Sequence, residues 1–553
     1  MFDRRALLPM VTFLMGCQAA SVRSNSGTAG NGNGNDGGGN PGAVDAGGAG
    51  HSGAGGASAP PGGGTPCTSC TDFPKDPVIE PGVTAGAPAQ FGPAGAGSPT
   101  NGPCLLEPQS GALYPRNWLR PRVRFVPSVG HDLFEIRITA PGQVNDLVVY
   151  TRNTSWTMPK ALWSAVAARP LSGPLLVTVR SLATTMPAAP VAVSAASSLT
   201  VAPANALGSI VYWTTSGGSA LKGFRAGDET VVEVLRPAAA ATGCVGCHSS
   251  TPDGEFVGFA ASDDPATGIP SRIDLRSANG QGLQPSYLSA AARTLLSRRP
   301  QQVPSFSGGH WKTGDRIALT MLLLAGRHQV VWTDLEATST AEGTGWGILN
   351  RQGDSGEVSL PVFSHAGDRV FYSQTPMVMS SIDQIDGDIW QVPWNGHQGG
   401  AATPVDGASD PTWNEFFPSL SSDDRLLAYT RLPKGGFTRE NPQDEIFVVP
   451  AGGGTPTRMT ANDPPACLGR SSPGVMNSWP KWAADRTVVD DKTYYWIVFS
   501  STRATALTPQ LFLAGVVVSG QTITTYPAVY LWNQPETEAN HTPAWDNFKI
   551  IVP

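Results

Sequence analysis

One short pattern returns five times in the second half of the chain, and it constrains the fold more than any other feature. It reads Pro304-Ser305-Phe306-Ser307, Pro361-Val362-Phe363-Ser364, Pro418-Ser419-Leu420-Ser421, Pro480-Lys481-Trp482-Ala483 and Pro543-Ala544-Trp545-Asp546, at intervals of 57, 57, 62 and 63 residues. The first four copies are each followed by a polar turn and an apolar strand: Ile317-Ala318-Leu319-Thr320, Val370-Phe371-Tyr372-Ser373, Leu426-Leu427-Ala428-Tyr429 and Ile497-Val498-Phe499-Ser500. A further strand carries Val331-Trp332, Ile389-Trp390, Ile446-Phe447 or Leu511-Phe512. A unit of several short strands at this period is the mark of propeller blades.

The pattern extends backwards. His248 stands 56 residues before Pro304, Thr251 takes the place of Ser307, Pro252-Asp253-Gly254 supplies the turn and Phe256-Val257-Gly258-Phe259 the strand. Six starts result, near 248, 304, 361, 418, 480 and 543. Too few residues follow the last for a whole blade, so its strands must come from Ser209-Ile210-Val211-Tyr212-Trp213 and Ala220-Leu221-Lys222-Gly223-Phe224. Closure by both ends leaves no open edge. The alternative is a pair of sandwiches with coincidental spacing.

Over 207–553 the chain resembles the exported TolB-like six-bladed β-propellers. Phe417-Pro418-Ser419-Leu420-Ser421-Ser422-Asp423-Asp424-Arg425 is similar to that family's Pro-x-φ-Ser-x-Asp-Gly-Lys core, φ being apolar. Phe499-Ser500-Ser501-Thr502-Arg503 and Pro509-Gln510-Leu511-Phe512 look like its strand–turn–strand continuation. Gly314-Asp315 and Gly367-Asp368 invert the usual Asp-Gly. The resemblance implies an all-β fold and, since that family is mostly non-catalytic and protein-binding, leaves function open.

Composition agrees with turn-rich β structure. Gly (64) and Pro (49) make up about a fifth of 553 residues, and charged residues are 14%, below the roughly 25% typical of soluble domains. A net charge of −6 offers no basic excess for nucleic acid. At the N-terminus, Arg4 and Arg5 precede a short apolar stretch ending in Leu14-Met15-Gly16-Cys17. That order resembles a bacterial lipobox, which implies export, acylation of Cys17 and, with Gln18 following, sorting to the outer membrane, on its periplasmic or exterior side. The expected organisation is 1–17 signal and lipobox, 18–103 disordered linker, 104–202 β-sandwich and 207–553 propeller. Seventeen of the 46 residues in 21–66 are Gly, which suits a flexible tether, and 81–102 is similar.

Between 104 and 202, short alternating runs such as Arg122-Val123-Arg124-Phe125-Val126 and Leu133-Phe134-Glu135-Ile136-Arg137-Ile138 are separated by turn residues. They predict a small antiparallel sandwich of immunoglobulin or fibronectin type, with no catalytic constellation.

The seven cysteines are 17, 67, 70, 104, 244, 247 and 467. Cys67, Cys70, Cys104 and Cys467 are an even number that could form two disulfides, in any of three connectivities. Cys67-Thr68-Ser69-Cys70 reads as structural rather than redox-active. Cys244-Val245-Gly246-Cys247-His248 is the c-type haem attachment signature. Two thiols three apart reach the vinyl groups on one porphyrin edge, and the next residue, His248, ligates the iron. Gly243 and Gly246 allow close approach of the backbone. Three alternatives stand beside it: a local Cys244–Cys247 disulfide, half of a zinc site, or a thioredoxin-like redox pair. The zinc site lacks a second Cys-x-x-Cys and the redox pair lacks a βαβ setting.

For the distal iron position the register favours His541, then Met476. His310, His328 and His365 are less well placed, and Met377 and Met379 fall in a long loop. An open sixth position would suggest ligand binding or peroxide chemistry. Asp383, Asp386, Gly387 and Asp388 bunch in one loop, without the spacing of an EF-hand. Trp390, Trp394, Trp413, Trp479 and Trp482 read as packing. No hydrolase, metalloprotease or phosphate-loop motif is present.

The sequence thus leads to a lipid-anchored protein carrying one covalent haem c on a propeller. It would serve electron transfer with a redox partner or haem-based sensing in the cell envelope. The alternative is a haem-free propeller that binds an envelope protein or glycan.

Overall fold

The computed structural model describes residues 72–551, apart from 170, 187–189, 217, 265–268, 299–302, 379–382, 439 and 505–507. The signal, Cys17, the 21–66 tether, Cys67, Cys70 and Met379 lie outside the described residues. Strand makes up 44% and helix 6%, so the fold is all-β.

The first part holds two sheets. A seven-stranded sheet runs Val78–Ile79, Leu147–Thr151, Leu133–Thr139, Leu175–Leu182, Ser197–Val201, Ala112–Tyr114, with Ala192–Val193 beside Leu175–Leu182. A three-stranded sheet runs Cys104–Glu107, Arg122–Val126, Ser155–Thr157. Val123 and Phe125 of the smaller sheet share a core with Phe134, Ile136, Val149, Val177 and Val179 of the larger, and the Phe125 and Phe134 rings meet at 4.9 Å. Two pairings in the larger sheet are parallel, Val78–Ile79 with Leu147–Thr151 and Ser197–Val201 with Ala112–Tyr114, so the expected purely antiparallel arrangement is corrected to a mixed one.

The disordered linker expected to reach 103 is also corrected. Val78–Ile79 extends the sheet, and the short helix Ala87–Phe91 buries Phe91 to 1% exposure. The physical reason lies far along the chain. Arg180, paired with Glu135, turns its Nη1 donors onto the carbonyls of Phe91, Pro93 and Ala96, which gives a Gly- and Pro-rich segment fixed partners.

Among the described residues six sheets of three or more strands follow in chain order, beside two two-stranded ones, Asn350–Gln352 with Gly399–Ala401 and Met377–Val378 with Gln384–Ile385. The first joins Asn540–Asp546 to Ser209–Thr214, then Ala220–Arg225 and Val232–Leu235. The second is Cys244–Ser250, Phe256–Ser262, Arg272–Ser277. The third centres on Asp315–Leu324 and Arg327–Asp334. The fourth is Glu357–Phe363, Arg369–Thr375, Asp388–Pro393, Thr403–Pro404. The fifth is Trp413–Leu420, Leu426–Pro433, Glu445–Pro450, Thr457–Arg458. The sixth runs Asn477–Trp482, Lys492–Ser501, Gln510–Ser519, Thr522–Thr525. Asp315–Leu324 packs on Glu357–Phe363, Glu357–Phe363 on Trp413–Leu420, Trp413–Leu420 on Asn477–Trp482, and Asn477–Trp482 on Asn540–Asp546, which in turn touches Cys244–Ser250. Ser249 Oγ to the Pro304 carbonyl and Trp311 Nε1 to Asp253 (2.7 Å) join the second sheet to the third.

The repeated proline marks one structural event. Register slips at Ser359/Val362, Phe416/Ser419 and Ser478/Lys481, and opposite Thr542-Pro543. The residue before each of these prolines is left-handed: Leu360 (φ 48°), Phe417 (53°), Trp479 (63°) and Thr542 (45°). Proline cannot donate to the ladder, so a bulge takes it out of register. The same slip occurs in the second sheet between Val245 and His248.

The two parts of the molecule are joined by a disulfide between Cys104 and Cys467 and by shared core. The Trp118 and Trp545 rings meet at 5.8 Å, and Trp496 Nε1 donates to the Asn205 carbonyl at 3.2 Å.

Candidate functional site

The Cys244-Val245-Gly246-Cys247-His248 segment lies within the strand Cys244–Ser250, the first of its sheet. It is interior: Cys244 is 1%, Val245 0%, Cys247 8% and His248 3% exposed. A side chain at Gly246 would meet the Ala260 carbonyl and the Trp213 indole at 3.6 Å, so the face that glycine leaves open is already covered by protein.

Haem attachment needs both sulfurs as thioethers and an imidazole directed at iron. Cys244 is disulfide-bonded, and Cys247, buried, is outside any disulfide. The two therefore do not close a disulfide on each other, which corrects that alternative. His248 turns its Nε2 onto the Val211 carbonyl at 3.1 Å. Burial pushes this imidazole down to about 4, against the pull of the Val211 hydrogen bond and with the Lys481 ammonium adding to the fall. Burial likewise pushes Lys481 down to about 8, with the Cys247 sulfur as its facing charge partner. As arranged, the residues do not fit haem: one sulfur is engaged, the imidazole serves a backbone carbonyl, and both faces of the strand are packed.

The other sequence-selected ligands are dispersed. His541 stands opposite Trp213 in the ladder, its ring 4.7 Å from the indole, on a strand that touches that of His248. Met476 is buried and its N–H donates to Thr502 Oγ1 at 3.1 Å. His310 bonds Asp315 and the Gly367 carbonyl, His328 bonds Glu357, His365 bonds Asp424, and Met377 is exposed.

Most of the residues preceding the repeated prolines converge instead, together with Cys247 in the corresponding position before His248. Cys247, Leu360, Phe417 and Trp479 belong to one core cluster, with Trp213 and Val303 packed against it, so all six sheets contribute. The Phe417 and Trp479 rings are 4.0 Å apart. Trp394 and Trp482 pack between sheets, and Trp413 lies under the Arg431 guanidinium.

In the acidic loop, Asp383 accepts from Thr438 and Asp386 from the Gly435 N–H. Among the described residues no group of three or more His, Cys, Asp or Glu side chains is placed to hold a metal ion, and no helix is long and apolar enough to cross a membrane.

Sequence reasoning missed three features. Glu415 and Arg431 form a buried pair, and burial raises the carboxyl to about 7. Asp444 is a buried carboxyl. A small open cleft of about 60 Å³ between the two parts is lined by Glu107, Tyr114, Arg124, Arg503, Phe512 and Tyr530, beside the Cys104–Cys467 disulfide. None has a local motif, because each is assembled from segments distant in sequence.

No protein-family model and no curated protein matches the chain. Among solved structures, a chain of a nidogen/laminin complex is similar at 8% identity over 61% of this chain and 98% of its own, with a TM-score of 0.34. An ancestral GH74 enzyme is similar at 10% over 60% and 40%, with 0.36. A quinoprotein alcohol dehydrogenase-like protein from Bacteroides thetaiotaomicron is similar at 9% over 79% and 95%, with 0.28. These are distant likenesses, and nothing about activity follows from them.

Proposed function

We propose that the chain is an exported six-bladed β-propeller preceded by an immunoglobulin- or fibronectin-like sandwich, and that it works without haem as a docking module for an envelope protein or glycan. An acylated Cys17 would tether it to the outer membrane. Six consecutive sheets, with the sixth packed on the first, support the ring. The observation that carries the haem-free reading is the engagement of Cys244 in a disulfide while His248 serves the Val211 carbonyl. With Leu360, Phe417 and Trp479 clustered where the sheets meet, binding falls to the outer faces and to the cleft beside Cys104–Cys467.

A second reading is favoured by the residue order at 244–248 and by the contact between the strands of His248 and His541: a c-type haem protein for electron transfer or haem-based sensing. One experiment separates the two. The full chain is produced, with its own N-terminus, in a host competent for cytochrome c assembly. A colourless protein whose intact mass lacks haem is expected. A reducible Soret band that disappears in Cys247→Ser would overturn the haem-free reading.

A further inference from the structure

The Cys104–Cys467 disulfide joins two segments that both line the cleft between the sandwich and the propeller. Cys104 opens the strand Cys104–Glu107, and Leu106 and Glu107 of that strand form one wall. Cys467 is the middle residue of the 3₁₀ turn Ala466–Leu468, and Pro465 and Leu468 on either side of it line the cleft from the other end of the bond. Phe512 and Tyr530 of the sixth sheet complete the lining used here. One covalent bond therefore sets the spacing of two walls that stand 363 residues apart in the chain.

The bond is open to solvent at one sulfur. Cys467 is exposed and Cys104 is half-buried. Gln109 also ties the walls, its Nε2 donating to the Asp463 carbonyl at 2.8 Å, but that bond is exposed and water can replace it. Past the turn, the chain is held again where Arg470 Nη1 donates to the Arg503 carbonyl at 2.9 Å. The two parts of the molecule do not depend on the disulfide for contact. Trp532 Nε1 donates to the Arg120 carbonyl at 2.8 Å, Arg122 reaches Glu536 at 3.2 Å, and the Trp118 and Trp545 rings meet in the shared core. Opening the bond thus frees a short surface turn and leaves the fold in place. Thiol exchange needs a line of approach to one sulfur, and Cys467 offers it.

We propose that the Cys104–Cys467 bond is a thiol-operated latch: a dithiol reductant opens it, releases the Ala466–Leu468 turn and widens the cleft. This rests on the docking reading of the same cleft and adds how access to it is set. A thiolate of the reductant attacks Cys467 Sγ, forming a mixed disulfide as the bond to Cys104 breaks, and Cys104 leaves as a thiolate that takes up a proton. The reductant's second thiolate then displaces Cys467. The protein gains two electrons and two protons, and the reductant becomes a disulfide.

The test uses the full chain, its accessible thiols first blocked with N-ethylmaleimide under native conditions. Dithiothreitol is added without denaturant, new thiols are trapped with iodoacetamide, and the peptides are mapped. Alkylation of Cys104 and Cys467 is expected at a rate within about 10-fold of that in urea, with the circular dichroism of the sheets unchanged. Chymotrypsin should then cut after Leu468 about 10-fold faster than in the oxidised protein, and the Cys104→Ser/Cys467→Ser double variant should be cut at that rate without reductant. A bond reduced only as fast as the chain unfolds, a reduced protein cut no faster after Leu468, or a double variant that fails to fold overturns the proposal. Each of these leaves the docking reading standing, since that reading falls to a bound haem and not to this bond.

Discussion

The Nε2 of His248 lies 3.1 Å from the carbonyl oxygen of Val211, across the boundary between two sheets. The carbonyl can only accept, so the neutral ring carries its proton on Nε2. Its titration, ordinarily near 6.5, is pushed down to about 4 by burial. Above 6.5 both folded and unfolded chains hold it neutral. As pH falls from 6.5 towards 4 the unfolded chain takes up the proton first, so stability falls by up to about 3 kcal/mol. Urea midpoints measured at several pH values in this window should decline in the wild type and decline less in His248→Gln.

The Cys104–Cys467 disulfide closes a span of 363 residues. Replacing both cysteines by serine is expected to lower stability by about 2–5 kcal/mol. Denaturant unfolding without reductant measures it, and an unchanged midpoint would show that the shared core alone holds the two parts together.

The contact between Phe417 and Trp479, with ring centres 4.0 Å apart, places two large side chains from adjacent sheets in one cluster. Phe417→Ala should cost about 3–5 kcal/mol through the cavity it leaves. Trp479→Ala should cost a similar amount, and the double variant less than the sum, because both truncations open the same space. A double-mutant cycle in urea gives the coupling directly.

Arg180 neutralises the buried Glu135 and holds the carbonyls of Phe91, Pro93 and Ala96. Arg180→Met leaves that carboxylate unpaired, at an expected cost of about 3–5 kcal/mol. Limited proteolysis should then cut within residues 87–97 at concentrations that spare the wild type. Adding Glu135→Gln should restore part of the stability but not the protection, since the donors to the three carbonyls remain missing.

Much of the sheet architecture was legible in the chain. The repeated proline cannot donate to a ladder, so it marks a bulge at Pro361, Pro418, Pro480 and Pro543, and the strands after it fall on schedule. Even the placing of Ser209–Thr214 beside Asn540–Asp546 could be read from a last repeat too short to stand alone. The same register places Cys247-His248 in the slot of Leu360-Pro361 and Trp479-Pro480, and all of these are buried. Residues 72–103 were misread because composition reports how little a segment can bury by itself, and what orders it is an arginine near position 180. Asp444 was invisible for a related reason: Asn477, whose N–H holds its carbonyl, is contributed by another sheet.

The pairing of Ser209–Thr214 with Asn540–Asp546 also sets a timetable. That sheet lacks a strand until residues 540–546 have been made, so a growing chain exposes the edge of Ser209–Thr214 while some 330 intervening residues are added. Excising 540–546 should therefore be as damaging as an excision near residue 210.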